Sequence, residues 1–584
     1  MNGGMITAQS STSIGQTSFL FYITLIISIS AIVLLIIFYY ISTQKTILKE
    51  KAESMGYESP NEMVRDKLAG KPRLLSWNVF LYDDSKSIAL RYLLASMVFF
   101  FIAGSFGLGM RLSLTNPNPH LLTADEYNVL LSEHAILMIY MFALGAAFFL
   151  GYYLLPSHLK LKRDVMGGYA SVAFWIWLFG GIFILVSRTA TRWYYYPPLA
   201  LELAEYGGGV FNWLAVIGLE MVFVGVVINC IIIIKLIASE RSKDIKLSEM
   251  SLFTWAMLFT VVMTISSAPT LMVGLGMLFY DFFNPIFFTA ASHQVLLFTI
   301  MFWFWGHPIV YIAIIPAFGL IYEIIPKFTG KPIYSYNSGI IGLGLLLILS
   351  ELVWGHHLMN SGLGVAWDIF FGTTSFLVVI PSAITVFNWI ASLWSADRIR
   401  LTTPMLFVIN GIIDFIIGGT MGVILSAAPA NDFLHGTYFV TGHFHFIFLG
   451  LTVGITFAGI YMLFPTLTGG RKYDVRLARW HFYLTALGSA VMAGAWGIGG
   501  FMGMPRATAG YFARFQPYQD VSIAGGIIIA IAQLIFLYNL AKSYTKQPSI
   551  SMDNVLENNP TSPEIPVTTP APTPPDINIT GGAK

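Results

Sequence analysis

The chain has 584 residues, of which 56% are hydrophobic and only 11% are charged, and its formal net charge is +2. Soluble domains carry about 25% charged residues, so this composition excludes a soluble enzyme, a disordered chain and a nucleic-acid-binding protein. The single cysteine, Cys230, excludes an internal disulfide bond and any zinc or iron–sulfur site built from cysteines.

Apolar stretches that are long enough to cross a membrane follow one another along the chain, since a membrane helix needs about 20 residues. The first covers about 19–41, and it lacks the charged start and the cleavage site of a signal peptide, so we expect a retained anchor. Twelve more cover about 88–112, 129–155, 166–187, 211–237, 251–279, 295–325, 335–359, 368–395, 404–428, 435–464, 480–503 and 521–542. The sequence therefore predicts an all-α fold, a polytopic membrane helix bundle of 13 transmembrane helices.

Lysines and arginines lie almost entirely on one side of the predicted membrane. If the N-terminus is outside, 27 of the 32 fall in cytoplasmic segments, and the other side holds only Arg111, Arg188, Arg192, Arg506 and Arg514. Positively charged loops face the cytoplasm. We therefore expect a multi-pass protein of the plasma membrane, in contact with lipid, with its N-terminus outside and its C-terminus cytoplasmic.

Three segments are predicted along the chain. Residues 1–87 form an N-terminal transmembrane anchor and cytoplasmic linker, and residues 88–544 form the twelve-helix core. Residues 545–584 are rich in proline and threonine and offer few apolar side chains to bury, so we expect a disordered cytoplasmic tail.

Six of the eleven histidines fall in the outer half of the predicted bilayer, on four helices. Ionisable groups there are costly, and each is a candidate functional residue. The six are His134, His307, His356, His357, His443 and His445. Their shared depth favours a metal or cofactor site over the alternative, which is that they serve as helix-packing or proton-relay histidines.

Helical angles divide the six histidines between sites. At 100° per residue, His443 and His445 lie about 200° apart, so they face opposite sides of one helix and cannot bind the same metal. His356 and His357 can converge with His307 on one ion, and imidazole without carboxylate or thiolate suits copper or iron.

Three sequence strings carry five of the six histidines, all except His134: GHPIVY (306–311), WGHHLMNSG (354–362) and HGTYFVTGHFHF (435–446). In this order they resemble the catalytic subunit, subunit I, of the haem–copper oxygen reductases, and the resemblance covers the twelve core spans. It implies that His134 and His445 are the axial ligands of a low-spin haem and that His443 is the single axial ligand of a high-spin haem.

The same resemblance implies a copper site facing the high-spin haem. Its ligands would be His307, His356 and His357, all on the strings quoted above. Tyr311 shares a helix face with His307 at the i, i+4 spacing. In the family the corresponding tyrosine is cross-linked to the histidine and supplies an electron and a proton for cleavage of the O–O bond.

Two departures from the mitochondrial type resemble the B-type branch, which is common in archaea. Ile309 stands where mitochondrial-type members have a proton-channel glutamate, and Thr385 stands where they have a lysine. The B-type proton path would consist of Tyr322, Ser382 and Thr385 and would end at Tyr311. Phe318 leaves a gap in this path, and the alternative role for the two hydroxyl residues is ordinary hydrogen bonding between helices.

Near the outer face, the resemblance assigns three residues to the surroundings of the haem propionates. They are His435, Asp432 and Arg506. The family often has Pro-Arg-Arg in this connection, whereas this chain has Ala507 in place of the second arginine.

The function implied is that of a terminal respiratory oxidase, an oxidoreductase that reduces O2 to water and couples the reaction to proton translocation. It would bind two haems, with the a type favoured, and one copper ion, and it would work with small partner subunits including a subunit II. The electron donor would be quinol or cytochrome c, with quinol favoured by the extra N-terminal span. Two alternatives stay open, a nitric oxide reductase of the same superfamily, against which Tyr311 argues, and a polytopic proton-coupled transporter, which would lack haem.

Overall fold

The computed structural model describes residues 78–81, 83–118, 121–161, 167–202, 211–288, 292, 294–359 and 361–545. Within these ranges, twelve helices are long and apolar enough to cross a membrane. We number them α1 (Ser85–Ser113), α2 (Ala124–His158), α3 (Gly167–Ser187), α4 (Asn212–Glu240), α5 (Leu252–Asp281), α6 (Val295–Thr329), α7 (Tyr336–Leu358), α8 (Val365–Trp394), α9 (Thr403–Ser426), α10 (Tyr438–Thr468), α11 (Val475–Phe501) and α12 (Ala513–Thr545).

These helices confirm the all-α membrane bundle and the twelve core spans predicted from hydropathy. No sheet is present in the described ranges, where the only β-type pairing is an isolated bridge between Thr437 and Pro505. The predicted first span, at about 19–41, and the predicted tail, at 545–584, lie outside the described residues apart from Thr545, the last residue of α12.

Polar residues at the helix ends explain why several helices begin earlier than their apolar stretches. At α2, the side chain of Thr123 accepts a hydrogen bond from the backbone N–H of Glu126, and the Glu126 carboxylate accepts one from the backbone N–H of Thr123. At α11, the Asp474 carboxylate accepts from the backbone N–H groups of Arg476 and Leu477. Such caps satisfy backbone donors that no helical carbonyl can reach.

The helices form a bundle in which α12 packs against α1, so the first and last core spans meet. Three helices occupy the centre, because 89% of the residues in the apolar windows of α2, α6 and α10 are buried, against 28–56% in the other nine. The central helices are four spans apart in the chain. Together they carry His134, His307, Tyr311, His443 and His445.

The helices that carry the six cavity histidines are irregular near these residues. A π-helical stretch follows His134 at Leu137–Ala143, and another follows His445 at Phe446–Val453. In α7 the pair His356 and His357 lies on a final 3-10 turn. Helix α6 consists of two helical segments that meet at His307, because the next residue is a proline without a backbone N–H.

Candidate metal centre and cofactor cavity

A cavity of about 1800 Å³ lies inside the bundle. All six histidines singled out from the sequence line it, together with Tyr311, His435 and Arg506. Ligand sites for drug-sized molecules occupy about 300–1,000 Å³, so this cavity suits cofactors larger than a single metal ion.

Three of these histidines form a cluster with metal-binding geometry. One nitrogen each from His307, His356 and His357 lies within 4.8 Å of the others. In the described part of the chain, no other group of three His, Cys, Asp or Glu side chains meets this criterion. The cluster contains only imidazole ligands, which suits copper, iron or zinc.

Neighbouring side chains fix the rings of this cluster. The ring of Trp303 stacks on His357 with centroids 3.7 Å apart. The Ser375 hydroxyl donates to the carbonyl of Phe371, so it accepts the hydrogen bond from His356 Nδ1 at 2.7 Å, which leaves Nε2 of His356 free for a ligand. The Nδ1 atom of His307 lies 3.3 Å from Nε2 of His357, a separation at which both nitrogens can face one ion.

The other three histidines are held by backbone carbonyls. His134 Nδ1 donates to the carbonyl oxygen of Ala103 at 2.7 Å. In the same way, His443 Nδ1 donates to Gly418 O at 2.7 Å and His445 Nδ1 donates to Thr441 O at 2.9 Å. Since a carbonyl can only accept, each bond fixes the proton on Nδ1 and leaves Nε2 as a ligand atom. This is the arrangement usual for histidines that bind metals.

His443 and His445 face different neighbours, as their 200° separation predicts. His443 bonds to a carbonyl of α9, whereas the ring of His445 lies edge-on to Trp496 of α11, with centroids 4.8 Å apart. The two imidazoles therefore face different parts of the cavity.

Two glycines leave room for these rings. A Cβ atom added at Gly107 would lie 2.9 Å from Cε1 of His134, and one added at Gly422 would lie 2.9 Å from Cε1 of His443. Both distances are below van der Waals contact, so a larger residue at either position would displace the imidazole.

Tyr311 lies beside the three-histidine cluster. Its ring centroid is 4.9 Å from that of His307, with an angle of 49° between the planes. The Nε2 atom of His307 is buried and has no hydrogen-bond partner. Tyr311 and the cluster therefore line the same part of the cavity.

His435 and Arg506 line the same cavity as the histidine cluster, whereas Asp432 is exposed and does not line the cavity. Burial and the charge of Arg506 lower the pKa of His435 to about 4. His435 is therefore neutral at pH 7.

The three residues of the predicted proton path lie in two groups. Ser382 lines the cavity with Tyr311. Thr385 is buried and donates to the carbonyl of Pro381 at 2.9 Å, and the Tyr322 hydroxyl accepts from Asn388 at 3.4 Å.

Phe318 lies between Tyr311 and Tyr322 on α6. It packs edge-on against Trp389 and Phe415, with ring centroids 4.7 and 5.0 Å away. The gap expected at this residue is therefore filled by an aromatic cluster.

Sequence reasoning missed several polar residues at the site. Arg111 and Arg192 line the cavity, and Asn388 bonds to Tyr322. Arg111 could have been found, because it is an ionisable residue in the last turn of an apolar span. Arg192 gave no signal, because it lies in a connection whose path depends on tertiary contacts.

Comparison with known proteins places the chain among respiratory oxidases. A family described as "Cytochrome C and Quinol oxidase polypeptide I" matches residues 87–528. The chain is 34% identical over 473 residues to "Cytochrome c oxidase subunit 1" of Synechocystis, covering 79% of this chain and 84% of that protein. It is 32% identical over 471 residues to "Quinol oxidase subunit 1" of Bacillus subtilis, covering 79% and 72%.

The fold has a counterpart among solved structures. A chain from a cryo-EM structure of "a heme-copper terminal oxidase dimer" matches with a TM-score of 0.69 and 19% identity, covering 80% of this chain and 85% of that chain. At this identity the match bears on the fold alone, and it is to a bundle of the same architecture.

Proposed function

The chain belongs to the cytochrome c and quinol oxidase polypeptide I family, and we propose that the six histidines around its cavity are the ligands with which it works as a terminal oxidase. Members of this family bind two haems and one copper ion. The observation that carries the proposal is the cluster of His307, His356 and His357 on the same cavity as three carbonyl-anchored histidines.

Each histidine has a proposed partner. His134 and His445 would hold the low-spin haem, His443 the high-spin haem, and the cluster of His307, His356 and His357 the copper ion. The support is that Nε2 is the available nitrogen in His134, His443 and His445, and that the cavity exceeds what a metal ion alone needs.

The cofactors, when bound, supply the redox chemistry for the reduction of O2. The protein contributes fixed imidazoles, a largely apolar cavity and the hydroxyl of Tyr311 beside the copper cluster. This hydroxyl would hold a proton for the reaction at the copper-binding cluster. No carboxylate lines the described cavity, and Tyr311 is the hydroxyl group whose ring lies beside His307 of the cluster.

Protons for this reaction would come from the cytoplasmic side through Tyr322, Thr385 and Ser382. Asn388 extends the series, since its amide bonds to Tyr322. Ile309 is buried where a mitochondrial-type member has a glutamate, which favours this single path and a B-type enzyme.

The proposed electron donor is quinol. Its support is the extra N-terminal span expected from the sequence, together with the 32% identity to a quinol oxidase subunit. Turnover with a soluble quinol and without reduced cytochrome c would support quinol, and the reverse preference would exclude it. We further propose a partner subunit II and a plasma-membrane orientation with the N-terminus outside.

The first experiment is a dithionite-reduced spectrum of the purified protein, before and after carbon monoxide, with iron and copper analysis. Two haems, one of them shifted by carbon monoxide, and one copper ion per chain are expected. Extra iron without copper would instead indicate nitric oxide reduction, and a protein without haem would refute the proposal.

Histidine variants make this experiment specific to the proposed ligands. His356→Ala should lose copper and keep both haems. His481→Gln is the matched control, because His481 is also buried in a membrane helix but bonds to Tyr461 and does not line the cavity. Loss of copper from both variants would mean that the loss reflects damage to the fold.

A further inference from the structure

Arg192 reaches the cavity from the connection between α3 and α4. Its backbone N–H donates to the hydroxyl of Ser132 on α2 at 2.7 Å, and its backbone has a φ of 60°. A non-glycine residue rarely adopts this conformation, so the contacts around the loop hold Arg192 in place.

The side chain of Arg192 contacts Ala507, the residue that follows Arg506 in the sequence. Its Nη2 donates to the carbonyl of Ala507 at 3.1 Å, and its Nη1 donates to the hydroxyl of Tyr194 at 2.8 Å. Two guanidinium groups from connections more than 300 residues apart therefore line the same part of the cavity.

These two positive charges are not balanced by the residues around them. The residues described as lining the cavity include three arginines and no aspartate or glutamate. Neither Arg192 nor Arg506 is among the ion pairs within 4.0 Å in the described ranges. Burial lowers the pKa of Arg506, and the charge of Arg192 lowers it further.

Arg192 and Arg506 are both partly buried, and two cations side by side in such surroundings are costly unless an anion neutralises them. Arginine is the usual partner of a carboxylate, because its planar group can donate two hydrogen bonds. Within the cavity, the carboxylates that could fill this role are those of the cofactors, since each haem carries two propionate groups.

We propose that Arg192 is a second propionate-binding residue, which together with Arg506 holds haem carboxylates and supplies the charge that Ala507 lacks. This inference rests on the proposed function, in that the cavity must hold haem. It assigns a role in cofactor binding to a loop that contains none of the metal ligands.

The third arginine, Arg111, is a different case. It donates to Gln519 at 3.1 Å and to the Tyr438 hydroxyl at 2.9 Å, and it lies over the ring of Trp496. It thus has a ring contact in addition to two hydrogen bonds, whereas Arg192 and Arg506 are two positive charges beside each other.

The test is a potentiometric titration of the haems in four variants of the full chain. A cation beside haem carboxylates favours the reduced haem, so Arg192→Gln should lower the midpoint potential of at least one haem. Arg192→Lys keeps the charge and should stay near the wild type. The double variant R192Q/A507R returns a guanidinium to the same place from the other connection and should restore the potential.

Arg514→Gln is the control. Arg514 is another arginine of the predicted outer side, but it lies over Phe512 and Phe515 and does not line the cavity. Its replacement should leave both potentials unchanged.

The outcomes separate this proposal from the proposed function. A wild type without haem would refute the function itself. With two haems present, unchanged potentials in Arg192→Gln, or an equal fall in Arg192→Lys, would overturn the role of Arg192. If Arg192→Gln loses haem, a restored haem content in R192Q/A507R supports the role of Arg192. If the haem content of R192Q/A507R stays low, that role is overturned.

Discussion

At the scale of single residues, the histidines around the cavity depend on small neighbours. Gly107→Ala would place a Cβ 2.9 Å from the His134 ring, which the bond to Ala103 O holds in position. We expect this variant to lose or alter the low-spin haem spectrum while the carbon monoxide-reactive haem persists. Gly422→Ala, which crowds His443, should do the opposite.

The control for both is Gly494→Ala, because a Cβ there would meet no atom within 4 Å. Alanine favours a helix by about 1 kcal/mol over glycine, so this variant should be at least as stable as the wild type, with normal spectra. Identical spectra in all three variants would contradict the proposed ligand assignment.

Tyr311 provides a second test at this scale. Tyr311→Phe removes one hydroxyl and leaves the ring beside His307. Because a positioned proton donor contributes about 10²–10⁴-fold to rate, we expect O2 consumption to fall by about 100-fold or more with both haems and copper retained. Near-normal oxygen consumption in this variant would rule out the role of Tyr311.

At the scale of helices, hydropathy predicts each core span but not where it begins. The polar first turns of α2, α11 and α12 were missed, because their length depends on capping side chains and on tertiary partners. In α12, for example, Gln519 is buried and accepts from Arg111. The irregular turns at the histidines were also unpredictable, since they follow from packing around the cavity.

The cap of α11 yields a prediction about stability. Asp474 caps this helix and accepts from Lys542 Nζ at 2.6 Å, which ties α11 to the end of α12. Asp474→Asn keeps a good cap and loses only the ion pair, worth about 0–1 kcal/mol. Asp474→Ala loses the cap as well, for about 1 kcal/mol more, so thermal unfolding should follow the order wild type, Asn, Ala.

This ion pair also depends on pH. Burial alone would raise the pKa of Asp474, but the hydrogen bond and charge of Lys542, with two backbone N–H groups, hold it below its ordinary value. A carboxyl with a lowered folded-state pKa stabilises the protein above its unfolded pKa, about 3.9, and loses this effect as pH falls further. The difference in unfolding temperature between wild type and Asp474→Asn should therefore shrink below about pH 4. A constant difference would exclude the ion pair as its source.

At the scale of the whole molecule, the sequence located the six histidines at one depth but could not show how their helices meet. The structure shows that α2, α6 and α10 form the centre, so residues more than 300 positions apart share one cavity. Loop residues were the hardest to assign, as Arg192 illustrates.

The topology can be tested with a membrane-impermeant thiol reagent. The native Cys230 is buried, 1% exposed, so the wild type should not react. Thr115→Cys, in the connection between α1 and α2, should react from outside intact cells. Lys243→Cys, between α4 and α5, should react only when the inner face is accessible.

Both replaced side chains are exposed, so an absence of labelling at both would mean that the labelling reaction failed and would carry no information on the topology. Reaction of Lys243→Cys in intact cells, without reaction of Thr115→Cys, would reverse the proposed orientation.

The cavity inside the bundle affects how stable the protein is in the cell before its cofactors bind. Unfilled interior space destabilises a fold, by about 24 cal/mol per Å³ in closed cavities. We therefore expect a chain that lacks its cofactors to be less stable around this cavity of about 1800 Å³ and to be degraded faster. The abundance of this subunit should therefore follow the cell's supply of haem, even when its synthesis is constant.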